Sequence, residues 1–357
     1  MDWGLIKGLR VRAMQQRATR APNVQELYAP VVTGLGSLAT DPCQGTRINA
    51  ADAGRAGTLT NLCQQTGVPT ALIGRVGAPS AGQLNITTGG NINLGPEEAD
   101  TTTLGFVWEP DFVRGLGLTV DFYRIKVNKA IATPLASQWA LACYDPAKNS
   151  SFALNDFCRG IARDGLTGSL NQGTGFSMPT TNEGSFDVGG IDVGASYRLP
   201  VKGLGRFDFA VQLSYMDKWD FKARPVMDTV ECAGNYGLNC GTPYSKTKVS
   251  QRTNWTYGDF TLGYNWRFIS GVKEEPGGDV FQPQFSTIKA YNYIDLNASW
   301  KATKNIKVSL AINNAADKDA PMVGNTIGGT GPNSGNTFPQ SYDVLGRRYS
   351  VTVQASF

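Results

Sequence analysis

The sequence lacks one residue type, histidine, and this limits the catalytic and metal-binding chemistry that is open to it. None of the 357 residues is histidine, so His-dependent catalytic triads, His general bases and His metal ligands are excluded. Aromatic and charged residues remain, in polar segments that are rich in glycine. Aromatic rings can stack on sugars or on apolar ligand faces, and arginine can bind anionic groups. Such residue types can contact a ligand, whereas acid–base catalysis is not expected without histidine.

Six residues are candidates for ligand contact because they are aromatic or basic and lie in the long polar segments. They are Arg47, Trp139, Tyr144, Tyr236, Tyr244 and Phe281. The alternative is that their side chains pack within those segments. The net charge of +4 is small and the basic residues are scattered, so nucleic acid is not an expected partner. Neither a cofactor nor a metal site is expected.

The six cysteines fall two to a segment in three of the same polar segments. Many pairings are possible, and this distribution favours the local ones. The predicted disulfides are Cys43–Cys63, Cys143–Cys158 and Cys232–Cys240. A metal site is a weaker alternative, because the sequence contains no C-x-x-C pair and no histidine. Disulfides form in the periplasm or at the cell surface, so they indicate an oxidising compartment.

Between the polar segments, apolar and polar side chains alternate as they do in β-strands that face two environments. The last such stretch places on one face the residues Tyr349, Val351, Val353, Ala355 and Phe357. About ten stretches of this kind occur, and short turns alternate with long loops between them. The predicted long loops are 21–96, 130–181, 221–245, 271–286 and 317–339.

This arrangement predicts an all-β fold, an antiparallel transmembrane β-barrel of about ten strands. No run of about 18 apolar residues occurs, so a transmembrane helix is not expected. Strands between lipid and water explain the alternation, and short periplasmic turns with long extracellular loops explain the connections. Aromatic residues then lie at the periplasmic rim, namely Trp108, Trp255, Tyr257, Trp300 and Phe357. A soluble all-β protein with long loops along one edge is the alternative.

The second face of the predicted strands is polar, which suits the lumen of a barrel. Its charged residues include Asp192, Arg198, Asp208, Asp295 and Lys307. At the outer end of the first predicted strand, Arg20 and Glu26 are expected to pair and to brace that end. Their predicted role is structural.

Four stretches resemble segments of TonB-dependent outer-membrane receptors. Residues 20–28, RAPNVQELY, resemble RAP-x-x-x-ELY, and residues 90–97, GNINLGPE, are similar to GN-x-x-L-x-PE. The closing residues 342–349, YDVLGRRY, and the terminal aromatic residue also fit. Residues 312–318 resemble the family's N-N-L-F-D-K, with two alanines in place of Leu-Phe. The matching residues with a predicted structural role are Arg20, Ala21, Pro22, Glu26, Leu27, Asn91, Pro96, Glu97 and Phe357.

The resemblance implies a 22-stranded barrel filled by an N-terminal plug, with a TonB box that an inner-membrane energy complex pulls on. It also implies energy-coupled uptake of a scarce ligand such as a siderophore, cobalamin or a saccharide. The ten strands would be the last ten of that barrel, so residues 1–357 are expected to form a partial barrel without a plug domain. The N-terminus lacks a long apolar core and a cleavage site, so a signal peptide is not expected either. This portion alone is not expected to be transport-competent.

The same resemblance implies the partners and the location. The expected partners are outer-membrane lipid, the barrel assembly machinery through the C-terminal strand, the TonB complex through the missing N-terminal part, and a transported small ligand. The expected location is the outer membrane of a Gram-negative bacterium. A ten-stranded outer-membrane hydrolase is disfavoured by the lack of histidine. A small closed barrel acting as a passive pore or adhesin requires the first and last strands to pair, whereas a partial barrel predicts an unpaired edge along residues 8–20.

Overall fold

The computed structural model describes residues 2–171, 174–237, 239–276, 283–323 and 336–356. Two residues singled out in the sequence, Phe281 and Phe357, lie outside these ranges. The strands of the described residues are β1 (Asp2–Ile6), β2 (Leu9–Arg20), β3 (Val32–Ser37), β4 (Gln83–Thr88), β5 (Glu97–Trp108), β6 (Leu116–Ala132), β7 (Ile161–Ala162), β8 (Gly175–Ser177), β9 (Thr181–Val201), β10 (Gly205–Lys222), β11 (Val230–Glu231), β12 (Asn235–Tyr236), β13 (Thr247–Tyr257), β14 (Phe260–Ile269), β15 (Val272–Glu274), β16 (Thr287–Ile288), β17 (Tyr291–Lys301), β18 (Ile306–Asn313) and β19 (Arg348–Ala355).

Helices are short and lie in the connections between the long strands. The α-helices are α1 (Val24–Tyr28), α2 (Leu59–Gln65), α3 (Ala136–Tyr144) and α4 (Asp156–Arg159). Single turns of 3-10 helix occur at Gly45–Arg47, Ala50–Asp52, Thr70–Leu72, Ser80–Gly82 and Pro283–Phe285. None of the helices in the described part of the chain is long and apolar enough to cross a membrane.

One antiparallel sheet contains the long strands in the order β1-β2-β5-β6-β9-β10-β13-β14-β17-β18-β19, with β11 beside β10. The ten members of this path from β2 onward are the ten predicted strands. Neighbours in the sheet follow one another along the chain, with tight turns at one end and the long connections at the other. The predicted all-β antiparallel fold is therefore confirmed. Among the described residues β1 and β19 do not pair, so the sheet is open.

The prediction of an unpaired edge along residues 8–20 is wrong for the first part of β2. That part pairs with β1 between Leu9 and Arg12. Gly8 turns the chain between the two strands with a φ of +81°, and a Cβ there would collide with the carbonyl oxygen of Glu109. The sequence did not reveal β1 because five residues are too few for a clear alternation.

One face of the main sheet carries a band of apolar side chains that are aligned across the strands. Leu310, for example, lies opposite Ala298 on one side and Val351 on the other. These side chains are accessible, and Val351 is 69% exposed. Aromatic rings gather on this face near the tight turns, where Phe260 stacks on Trp300 with ring centroids 6.0 Å apart. An exposed apolar face of this kind is typical of a surface that contacts lipid.

The opposite face of the main sheet is polar and is organised by ion pairs between neighbouring strands. Arg267 donates to both carboxylate oxygens of Asp295 at 2.8 and 3.0 Å. Asp208 accepts from Arg198 at 3.1 Å and from Arg206 at 2.8 Å. The register of the strands also places on this face the other two charged residues predicted to point inward, Asp192 and Lys307. The sorting of side chains between the two faces is therefore as predicted.

The long connections, predicted only as loops, are folded. Strands from the first and second long loops form the sheet β3-β4-β8-β7, and strands from the third and fourth form β12-β15-β16. Most of the fully buried large side chains lie in these connections, including Leu62, Leu84, Phe176, Tyr236 and Phe338. The apolar core of the described chain thus lies at the loop end of the main sheet.

A single arginine should distinguish the two faces of the main sheet. Replacing Val211 or Leu310 with arginine is expected to destabilise membrane insertion by about 2 to 4 kcal/mol, because both side chains belong to the apolar band. Gln212→Arg, on the polar face of the same strand as Val211, should cost much less. Folding into lipid vesicles under a denaturant gradient measures the difference. Equal effects of Val211→Arg and Gln212→Arg would contradict the register.

Candidate functional site

The first two long loops fold together into one unit at the loop end of the sheet, here called the loop unit (residues 21–96 and 130–181). Within it β4 and β8 pair in parallel, with Ile86 beside Phe176. Apolar residues from both loops form one cluster around the helices. The structure contains the three predicted disulfides, Cys43–Cys63 and Cys143–Cys158 in the loop unit and Cys232–Cys240 in the third loop.

A buried ion pair joins the two halves of the loop unit. Arg163 donates from both terminal nitrogens to the carboxylate of Asp41 at 2.6 and 2.7 Å, and the two side chains are 0% and 2% exposed. The Tyr144 hydroxyl lies 2.6 Å from the hydroxyl of Thr66 and 3.4 Å from the guanidinium. Burial alone would lower the pKa of Arg163, but Tyr144 and Asp41 outweigh it and raise the pKa above its ordinary value. The guanidinium therefore stays charged and holds the two loops together.

A second arginine fastens the loop unit to the main sheet. Arg20 donates from Nε to Glu97 at 2.5 Å and from its terminal nitrogens to both carboxylate oxygens of Glu26 at 2.9 Å. Glu26 also closes a capping box with Asn23 at the start of α1. The second oxygen of Glu97 accepts from the backbone N–H of Ile131 at 2.7 Å. The predicted pairing of Arg20 with Glu26 is confirmed, and the pair braces the end of β2.

The two motif segments, residues 20–28 and 90–97, lie directly against each other. The backbone N–H of Asn91 donates to the Glu26 carbonyl at 2.8 Å. Gly90 approaches Leu27 so closely that a Cβ would lie 2.6 Å from the Leu27 carbonyl oxygen. The motifs therefore form one structural joint between the sheet and the loop unit.

A groove opens where α3 of the loop unit meets the third and fourth loops, and it is here called the interloop groove. Its volume is about 540 Å³, and its lining includes Ser137, Gln138, Leu141, Lys148, Val226, Met227, Asp228, Glu231, Asn239 and Glu275. The size and the mixed apolar and polar lining are typical of small-molecule sites.

Contacts between the three loops shape the interloop groove. Lys148 pairs with Asp228 at 2.5 Å. The buried carboxylate of Glu275 accepts from the backbone N–H groups of Asn239 and Cys240 at 2.8 and 2.7 Å. Nearby, the guanidinium of Arg224 lies 5.4 Å from the ring centre of Trp139. These contacts hold the third loop against the loop unit and against the fourth loop, and they fix the shape of the groove.

The structure does not gather the six predicted contact residues into one site. Trp139, Tyr144 and Tyr236 are buried and pack within the loops, as the alternative explanation had it. Burial raises the pKa of Tyr236 to about 12, and its hydroxyl donates to the Phe285 carbonyl. These three residues therefore have a packing role in the structure, and ligand contact by them stays a prediction.

The remaining three predicted residues are placed differently. Arg47 is exposed in a 3-10 turn of the first loop. Tyr244 is half-buried and packs on Trp219 with ring centroids 4.3 Å apart. Phe281 lies outside the described residues. Ligand contact by Arg47 and Tyr244 stays a prediction.

Sequence reasoning missed the residues of the interloop groove. Gln138 and Leu141 are close neighbours of Trp139 in α3, yet no motif marks them. Asp228 and Glu275 come from two other loops that are distant in sequence. The only usable signal was the general one, that polar loops of this length often carry binding sites.

A second concave region lies on the polar face of the main sheet. Its volume is about 410 Å³, and its lining includes Arg206, Asp208, Asn254, Asn297, Lys307 and Thr352. It is lined by strands β10, β13, β14, β17, β18 and β19, so it is a stretch of the polar wall rather than an enclosed pocket. The described residues contain no group of three or more His, Cys, Asp or Glu side chains that could hold a metal ion.

Comparison with known proteins identifies a matching protein family. The family model "TonB dependent receptor-like, beta-barrel" matches residues 2–315. No curated protein sequence is similar enough to count as a match.

Several solved receptors share the fold. A mutant of the ferric enterobactin receptor PfeA from Pseudomonas aeruginosa is 16% identical with a TM-score of 0.59, and the alignment covers 100% of this chain and 39% of that one. The siderophore receptor PirA from Acinetobacter baumannii is 12% identical with a TM-score of 0.57, covering 100% and 40%. The copper transporter OprC is 15% identical with a TM-score of 0.52, covering 100% and 38%. The chain thus spans about two fifths of the length of these receptors.

The buried ion pair of the loop unit provides a test of how the loops are held. Asp41→Ala leaves the Arg163 guanidinium buried without its carboxylate, so the loop unit is expected to lose about 3 to 5 kcal/mol of stability. Pulse proteolysis across a urea gradient measures that loss.

The matched control for this test is Asp156→Ala, which removes an exposed ion pair with Arg159 in the same loop unit and should leave the midpoint unchanged. An unchanged midpoint for Asp41→Ala would show that the buried pair does not hold the loop unit together.

Proposed function

The chain belongs to the family of TonB-dependent receptors, and on this basis we propose that it forms barrel wall and cell-surface loops of a receptor in the outer membrane of a Gram-negative bacterium. The family is one of transport receptors rather than enzymes. In our proposal the assembled receptor takes up a scarce ligand, such as a siderophore, cobalamin or a saccharide, with energy supplied through TonB.

The observation that carries this proposal is the sorting of side chains on the main sheet. The apolar band is exposed along several adjacent strands, while the other face holds ion pairs such as Arg267–Asp295. A water-soluble sheet would bury its apolar face against another layer. Lipid on one side and an aqueous lumen on the other satisfy both faces at once.

The open sheet supports a wall that is completed by further strands. Strands β1 and β19 do not pair in the described structure, and a membrane barrel must close to satisfy its edge hydrogen bonds. The similar receptors are more than twice as long as this chain. We therefore propose that residues 1–357 act as the last part of a larger barrel. The alternative, a small closed barrel acting as a pore or adhesin, requires a pairing that the described sheet does not have.

The proposed orientation places the loop unit outside the cell and the tight turns in the periplasm. All six cysteines are in disulfides, so an introduced cysteine is a unique label. In intact cells a membrane-impermeant maleimide should label Leu166→Cys, which is 87% exposed in the loop unit, and should not label Leu204→Cys in the turn between β9 and β10.

The controls for this labelling are the unsubstituted protein, which should stay unlabelled, and permeabilised cells, in which both variants should react. Labelling of Leu204→Cys alone in intact cells would reverse the orientation. If neither residue is labelled in intact cells, the proposed location of the loop unit at the cell surface is contradicted.

Transport is tested in cells that carry the gene for the receptor. Deleting that gene should abolish uptake of one member of a panel of ferric siderophores, cobalamin and oligosaccharides, and restoring it should restore uptake. A protonophore should have the same effect as the deletion, because uptake is proposed to draw on inner-membrane energy. Uptake that resists the protonophore would point to a passive pore.

A further inference from the structure

We propose that the interloop groove binds an organic cation, with an ammonium group held by the acidic wall of the groove and an apolar body packed against its aliphatic side chains. The proposal deepens the proposed function, because it assigns a ligand class to one part of the loop surface.

The charge of the groove favours a cation. Its lining contains one basic side chain, Lys148, and three acidic ones, Asp228, Glu231 and Glu275. Lys148 is already paired with Asp228. The ion pairs within the described ranges give neither Glu231 nor Glu275 a basic partner. The surplus of negative charge lies in a concave region, where it attracts positive ligands and repels negative ones.

An unused hydrogen-bond acceptor provides an independent observation. Gln138 lines the groove and is only 6% exposed. Its Nε2 donates to the Asp228 carbonyl at 3.2 Å, whereas its Oε1 is buried and has no donor among the residues that the structure describes. Buried acceptors are rarely left without a partner. A ligand that donates hydrogen bonds, as an ammonium group does, can pair with this oxygen once the Gln138 amide turns toward the groove.

The apolar side of the groove defines the rest of the ligand. Leu141 is 44% exposed although it lies in a helix that is otherwise mostly buried. Val226 is also exposed beside the buried Met227. These aliphatic side chains gain contact area if an apolar group covers them. A ligand with an ammonium group on a small apolar body therefore matches both sides of the groove.

The groove thereby differs in charge preference from a site for an anionic chelate. A ferric complex with net negative charge would meet Glu231 and Glu275, while Lys148, the basic side chain in the lining of the groove, is paired with Asp228. If this receptor takes up such a chelate, the interloop groove is expected to contact a positively charged part of the ligand or a different molecule.

The experiment uses three probes of the same shape and different charge, namely phenethylammonium, 2-phenylethanol and 3-phenylpropionate. Binding to the full chain in lipid nanodiscs is measured by calorimetry and by ligand-observed NMR. Phenethylammonium should bind most tightly and 3-phenylpropionate least. Glu231→Gln should weaken phenethylammonium binding by about two- to fivefold, as expected for a partly exposed charge pair, and should leave 2-phenylethanol binding unchanged.

A blocking variant locates the binding. Leu141→Arg adds a positive charge and bulk to the groove and should abolish phenethylammonium binding. The matched control is Leu166→Arg, an exposed position in the same loop that does not line the groove, and it should bind as the unsubstituted chain does. Thermal unfolding of both variants confirms that they fold.

Three results would overturn the proposal: no binding of phenethylammonium, binding of 3-phenylpropionate at least as tight, or binding that survives Leu141→Arg. None of them would decide the proposed transport function, since cellular uptake and surface labelling are measured without these probes. Conversely, loss of the proposed orientation would leave the charge preference of the groove measurable in nanodiscs.

Discussion

Backbone hydrogen bonds between neighbouring strands fix the register of the main sheet, and the register decides which environment every side chain meets. Side chains alternate with a period of two, so a slip by one residue would exchange the two faces. Val211 would then face the ion pairs, and the charged residues would face the apolar side. Continuous pairing of the main-sheet strands keeps this sorting in place. Gly105 and Gly263 make room for the neighbouring side chains of Asp121 and Asn254.

A consequence of this sorting is that the two buried apolar clusters of the described residues are built by the connections rather than by the main sheet. One face is apolar but exposed, and the other is polar. The interior that a globular domain would build between layers lies instead in the connections, around Leu62, Phe176 and Trp139. Disulfides and the Arg163–Asp41 pair stabilise that interior, and Arg20 links it to the strands. The loop unit is therefore cross-linked like a small domain, which suits a binding surface.

Much of the fold could be predicted because its signals are local. Alternation shows directly in the sequence wherever a strand is longer than about seven residues, which explains why the ten long strands of the main sheet were predicted while β1 and the short strands of the connections were not. Two cysteines in the same loop likewise predict a disulfide with each other, because they are close in sequence. The structure inside the loops depends instead on contacts between distant segments, such as Ile86 with Phe176.

The candidate site shows more clearly what local sequence patterns cannot predict. Aromatic residues in loops suggested ligand contact, but Trp139 and Tyr144 were needed to build the loop core. The groove is formed by less conspicuous side chains of three loops, including Gln138 and Asp228. Such a site follows only from the packing of the loops, which no local pattern encodes. The local pairing of the disulfides has one more consequence, for assembly: each covalent ring closes within a single loop. No ring encloses a strand of the main sheet. The cysteines can therefore be oxidised either before or after the strands pair, because the disulfides do not block strand pairing.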